Sequence, residues 1–194
     1  MLIVGTDAAT VEIDLIGGHL GCPACGSVLR PWGHGIEREV RLLGGSERRR
    51  LRRSMCRACG ATHVLVPEDM LVRRRDGVEM VGAALTAKAR GDGHRRIAAD
   101  LDRPASTVRG WLRRFAAMAV ELREHFTRWA YALDPVHDRR SPGGSALFDA
   151  VEAVGVLGIV AVRRFGPRSA WSLAAVVTGG GLLCNTSCLW AQPV

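Results

Sequence analysis

Cys22-Pro23-Ala24-Cys25-Gly26 and Cys56-Arg57-Ala58-Cys59-Gly60 are two copies of one pattern, with 30 residues between the first cysteine pair and the second. Two intervening residues let both thiolates of a pair reach one cation. The glycine after each second cysteine permits the positive φ of a tight knuckle, which leaves backbone amides free to point at sulfur. Two knuckles complete a tetrahedral shell of Cys22, Cys25, Cys56 and Cys59. Four thiolates leave no open coordination position, so the cofactor expected is a structural Zn2+ that contributes to folding and activates no water. Buried free thiols are the alternative, and the repeated glycine argues against them. His19, His34 and His63 stand near the knuckles, and any could replace a cysteine as ligand, although four thiolates already suffice. Cys184 and Cys188 are four apart, would share a helix face, and have no second pair beside them; they are expected to be small apolar residues.

Around the knuckles, residues 37–43 and 62–66 carry the β-branched and aliphatic side chains of short strands, joined by a Gly44-Gly45 turn. Residues 11–16 alternate apolar and acidic and predict an N-terminal strand. The expected unit over residues 1–70 is therefore a strand followed by a zinc ribbon.

Beyond it the apolar spacing changes from two to three and four. Residues 78–89 predict a helix with Val81, Ala84 and Leu85 on one stripe, ended by Gly91-Asp92-Gly93. Residues 94–101 place Ile97, Ala98 and Leu101 on one side, and Asp102-Arg103-Pro104 makes a turn. A third helix starts at Pro104 or Ala105 and runs through Val108, Trp111, Leu112 and Phe115. Ala98, Asp102 and Val108 stand at spacings that resemble the helix-turn-helix of DNA-binding proteins. The resemblance implies that Ala98 lets two helices approach and that Val108 and Trp111 anchor the second. Ser106, Thr107, Arg109, Gly110, Arg113 and Arg114 would then face the major groove. That family usually has glycine at the position of Asp102 and an apolar residue at that of Arg103. Aspartate tolerates left-handed geometry, so the first departure is mild.

Charge agrees with a polyanionic partner. Twenty-seven basic against 19 acidic residues give a net charge of +8, and Lys88 is the single lysine. Arg48, Arg49, Arg50, Arg52, Arg53 and Arg57 follow Glu47 with no acid among them, and Arg103, Arg109, Arg113 and Arg114 form a second acid-free stretch. A charge run is often only a solvated face. Here the first run is expected to neutralise phosphates, and the second to lie where a guanidinium can pair with guanine.

The order of ribbon, short linker and helix-turn-helix resembles the DNA-recognition region of bacterial insertion-sequence transposases and their small associated proteins. The resemblance covers residues 21–115 and is carried by CPACG, CRACG and IAADLDRPASTVRGWLRRF. It implies double-stranded DNA as partner and a link to transposition. Strand transfer in such transposases needs three separated carboxylates on a ribonuclease-H-like sheet. Only Asp149 and Glu152 are acidic among the 54 residues after Arg140, so no nuclease activity and no catalytic residue is expected. A transcriptional regulator of the same architecture is an alternative. A second is a module that holds a transposase or polymerase, and a zinc enzyme would need a shell of three protein ligands and water.

The rest of the chain is expected to be helical, giving an α+β, mainly helical fold. Ala119, Leu122, Phe126 and Trp129 share one face of a helix that extends the 75–133 region, and residues 134–145 form a linker. Residues 146–162 and 170–183 predict two apolar helices of a C-terminal segment, 146–194. Core packing is the favoured role for them, ahead of self-association or a transposase interface. Residues 1–14 lack the basic start and apolar core of a signal peptide, so the cytoplasm, near the nucleoid, is the expected location. Residues 169–194 carry no charge, but Gly179-Gly180-Gly181 and the polar residues around them interrupt the run before it could span a bilayer.

Overall fold

Strands predominate before position 70 and helices after it, with one helix among the strands. In the computed structural model, which describes residues 1–137 and 143–184, the chain is α+β. Its first part runs β1 (Leu2–Val4), α1 (Ala8–Gly17), β2 (Leu29–His34), β3 (Arg38–Leu42), β4 (Gly45–Arg49), β5 (Arg52–Cys56) and β6 (Thr62–Pro67). Its second part is helical: α2 (Val78–Ala89), α3 (His94–Asp100), α4 (Ala105–Ala116), α5 (Ala119–Leu133), α6 (Ala146–Phe165) and α7 (Ala170–Val177).

Four strands form one sheet in the order β1-β6-β5-β2. β1 runs parallel to β6, with Leu2 opposite Leu65; the other pairs are antiparallel, with Leu29 opposite Cys56 and Ser54 opposite His63. β3 and β4 form a separate hairpin, Leu42 opposite Gly45. The expected link from residues 37–43 to 62–66 is thus corrected. A two-residue turn can only return the chain to an adjacent antiparallel strand, so the partner of β3 must be the segment that follows at once.

The expected strand over residues 11–16 is also corrected: it lies within α1. Asp7 caps that helix, its carboxylate accepting from the Ala9 and Thr10 amides at 3.3 and 3.0 Å, and Gly18 ends it at φ 79°. The alternating pattern also places Val11 and Leu15 four apart, and these are the two positions of α1 that are buried.

Helices α2 to α7 share one apolar core that runs from Leu71 to Leu183. Trp171 of α7 is the keystone between the early and late helices. A Cβ on Gly82 of α2 would come within 2.4 Å of its indole, and the Phe115 ring of α4 meets it edge to face at 6.5 Å. The C-terminal helices therefore take the expected core role. The predicted helix over 170–183 stops at Val177, because Gly179 and Gly180 turn left-handed at φ 58° and 76°. Cys184 consequently follows a turn and lies on no helix face, and Cys188 lies outside the described residues, as do residues 138–142 of the expected linker 134–145. The segment after α4 forms a separate helix, α5, after a break at Ala117-Met118. No helix among the described residues is long and apolar enough to cross a membrane.

Candidate metal centre and cationic helix face

The sheet carries the four cysteines together at one end. Each pair sits in the same knuckle. Gly26 N–H donates to Cys22 O at 2.8 Å and Gly60 N–H to Cys56 O at 2.9 Å, with the two glycines at φ 73° and 71°. Cys22 N–H donates to Ser27 O and Cys56 N–H to Ala61 O, which closes both loops. The four sulfurs all lie within 4.8 Å of one another. Cys25 Sγ is 3.5 Å from Cys56 Sγ and Cys22 Sγ is 3.7 Å from Cys59 Sγ. A tetrahedral shell with metal–sulfur bonds of about 2.3 Å sets sulfur–sulfur edges of about 3.8 Å, so the thiols stand where one cation would draw them.

Their protons report the same crowding. Hydrogen bonds from Ser27, backbone first and then side chain, pull Cys25 down to about 6. At Cys59 the Ala61 amide acts downward, but the neighbouring Cys25, Cys56 and Cys22 sulfurs outweigh it and push the thiol up to about 12. Four thiols this close cannot all ionise unless a cation sits among them.

The three histidines do not replace a cysteine. His63 comes nearest, with Nε2 at 3.4 Å from Cys22 Sγ, and burial holds it below the ordinary imidazole range and therefore neutral. With its proton on Nε2 the ring would donate to the Cys22 sulfur, and His63 stands outside the group of four sulfurs that lie close enough together to hold one ion. His19 faces Asp14, and His34 ends β2 opposite Arg52, at the far end from the knuckles.

The second candidate site is α4. Val108, Trp111, Leu112 and Phe115, the four positions expected to face inward, are its four buried residues. Asp102 adopts φ 50°, the left-handed turn expected of it, and Arg103 N–H donates to Ala98 O at 2.8 Å. Arg103 lies where an apolar residue was expected. It folds back over α2, with Nε 3.3 Å from Met80 Sδ and 3.9 Å from the buried Asp76 carboxylate. On the outer side of α4, Ser106, Arg109 and Arg113 are exposed, and Thr107, Gly110 and Arg114 are partly covered. α4 contains no acidic residue.

The first arginine run behaves differently from expectation. Arg49 grips Asp69 with both terminal nitrogens at 2.6 Å and also reaches Glu47; Arg52 holds both carboxylate oxygens of Glu12 at 2.7 and 2.8 Å. Arg48 pairs with Glu37 at 3.1 Å, and Arg50 donates to Gly35 O. Of the six, Arg53 and Arg57 have no such partner among the described residues. The run is acid-free in sequence and not in space, because folding brings Glu37, Asp69 and Glu12 to it from 11, 20 and 40 residues away.

Sequence reasoning passed over Arg41, Arg73, Arg74 and Arg75. They form, with the flank of α4, a groove of about 450 Å3 that Arg113 and Arg114 line from the opposite wall. The run of three arginines is legible in the sequence, between the acids Asp69 and Asp76.

Residues 22–111 match the model of a family described as a domain of unknown function, DUF6431. The match runs from the first cysteine to Trp111 of α4 and so contains both knuckles, the three arginines before α2, and most of the three-helix element. No curated protein and no solved structure matches the chain.

Proposed function

We propose that the protein is a non-enzymatic DNA-binding protein, in which a structural Zn2+ holds a ribbon of β2, β5 and β6 and a helix-turn-helix of α3 and α4 reads the duplex. The observation that carries this reading is the division of α4 into a buried apolar face and an outer face bearing Ser106, Thr107, Arg109, Arg113 and Arg114 with no acid. Such a helix can enter a major groove without repelling phosphates, and its guanidinium groups can pair with guanine edges. The left-handed turn at Asp102 and the close packing of Ala98 support the same assignment. Four thiolates suit zinc in a closed tetrahedral site, which leaves the ion no place for a reactive water and gives it a folding role. The resemblance of residues 21–115 to insertion-sequence transposases favours a role in transposition, and transcriptional regulation would use the same head.

Binding of a fluorescent mixed-sequence duplex across a salt series tests the reading. Affinity should fall with a log-log slope near 0.9 for each phosphate neutralised. Selection from a randomised duplex pool should return a preferred sequence, and Arg109→Ala with Arg113→Ala should erode that preference by about 1 to 3 kcal/mol for each lost pair. Salt-independent binding, or unaltered preference in the double variant, defeats the proposal.

A further inference from the structure

One charged feature is left unused by the reading of α4. The turn before α2 presents Arg73, Arg74 and Arg75, Arg41 reaches beside them from β3, and Arg113 and Arg114 close the groove from α4. Asp76 is the one carboxylate along it among the described residues, and it is already shared between Arg41 at 3.6 Å and Arg103 at 3.9 Å. Arg73, Arg75, Arg113 and Arg114 have no ion pair among the described residues. Arg114 folds across Gly110, where a Cβ would meet its Nη1 at 3.0 Å, and its buried Nε has no hydrogen-bond partner among the described residues. Burial, and then the charge of Arg114, pull Arg74 below its ordinary pKa. Like charges crowd here with too few protein counter-ions.

The crowding is built in. Arg41 N–H donates to Arg75 O and Gly77 N–H to Arg41 O, both at 2.7 Å, so the hairpin clasps the turn from one side. Val72 N–H donates to Gly180 O at 3.1 Å and ties it to the end of α7 from the other. Arg73 is held at φ 59°, a left-handed conformation that a non-glycine residue keeps only when its surroundings impose it. The backbone that carries these side chains is thus fixed before any ligand arrives, which lowers part of the ordering cost of binding.

We propose that this groove binds two or more adjacent phosphate groups. Guanidinium forks match phosphate oxygens in pairs. The groove, at about 450 Å3, is roomier than a single phosphate needs and falls among ordinary ligand sites of roughly 300 to 1,000 Å3. The source that its position favours, resting on the DNA-binding reading, is the backbone of the strand beside α4; contacts of that kind orient a reading helix without carrying sequence information. A free oligophosphate offers the same chemistry.

Arg73→Asn with Arg75→Gln removes two exposed charges, and asparagine tolerates the left-handed backbone. The metal-loaded full chain and this variant are compared in two titrations, with a labelled mixed-sequence duplex over a salt series and with sodium tripolyphosphate followed by thermal melting. Unliganded melting temperatures should agree; if the pair lowers them, Arg75→Gln alone serves. For the duplex, the variant should lose about 0.9 of slope for each phosphate contact removed. Tripolyphosphate should raise the melting temperature of the parent more than that of the variant. A reduced duplex slope supports the groove and names backbone phosphates as its ligand. A loss confined to tripolyphosphate supports the groove and names a free oligophosphate. Equal slopes together with equal melting shifts overturn the inference, and DNA binding by α4 then stands on its own salt series. A parent chain that binds no duplex sinks the DNA reading, while tripolyphosphate still judges the groove.

Discussion

Asp102 shows how much one side chain can settle. It stands at φ 50° between α3 and α4, a conformation that costs an ordinary residue about 1 to 2 kcal/mol. Asp102→Gly should therefore keep or raise stability, whereas Asp102→Val should lose about 1 to 2 kcal/mol, read as a lower urea midpoint at unchanged slope. Aspartate was recognisable as a turn former from its identity alone, since its tolerance of left-handed geometry is local chemistry. The ion pairs of Arg49 and Arg52 were not recognisable. Their partners Asp69 and Glu12 lie 20 and 40 residues away, and only strand pairing and the docking of α1 bring them within reach. Asp76 is hidden for the same reason: a carboxylate next to three arginines in sequence is committed in space to Arg41 and Arg103.

The knuckles are the elements most completely written in local sequence, because CxxCG encodes both the ligand spacing and the left-handed glycine. Cys22 and Cys56 belong to a small apolar cluster with Val11, Leu15, Leu29 and Leu65, separate from the core of the helices. Removing the proposed Zn2+ with a strong chelator should therefore open the sheet and leave most of the helical circular dichroism. Metal loss that melts the helices as well would contradict that separation. Acid should act in the same direction as chelator, since each thiol must shed its proton to bind as a thiolate and falling pH returns it. The elements misread from sequence, α1 and the β3–β4 hairpin, are short. A pattern of six residues fits either period when two apolar positions four apart are all that the core takes, and Asp7 with Gly18 decided for helix.

Taken whole, the molecule joins two parts of its sequence that look unrelated. Leu157 of α6 is fully buried in the core that also holds Val81, Val108 and Phe115. Leu157→Ala should cost about 2 to 5 kcal/mol, and the signals of α4 and α6 should be lost in one transition, as one shared core requires. Separate melting of the C-terminal helices would show that Trp171 does not couple them to α2 and α4. The amino-acid order was enough to specify the two cysteine knuckles, the three helices after Gly77, the buried face of α4 and the excess of positive charge, since each depends on neighbours within a few positions. Folding in three dimensions chose which arginines are neutralised, how the strands are ordered, that α7 locks onto Gly82, and that Arg41, residues 73–75 and α4 share a groove. Those outcomes depend on contacts between distant segments, and a pattern with a range of three or four residues cannot encode a partner many tens of positions away.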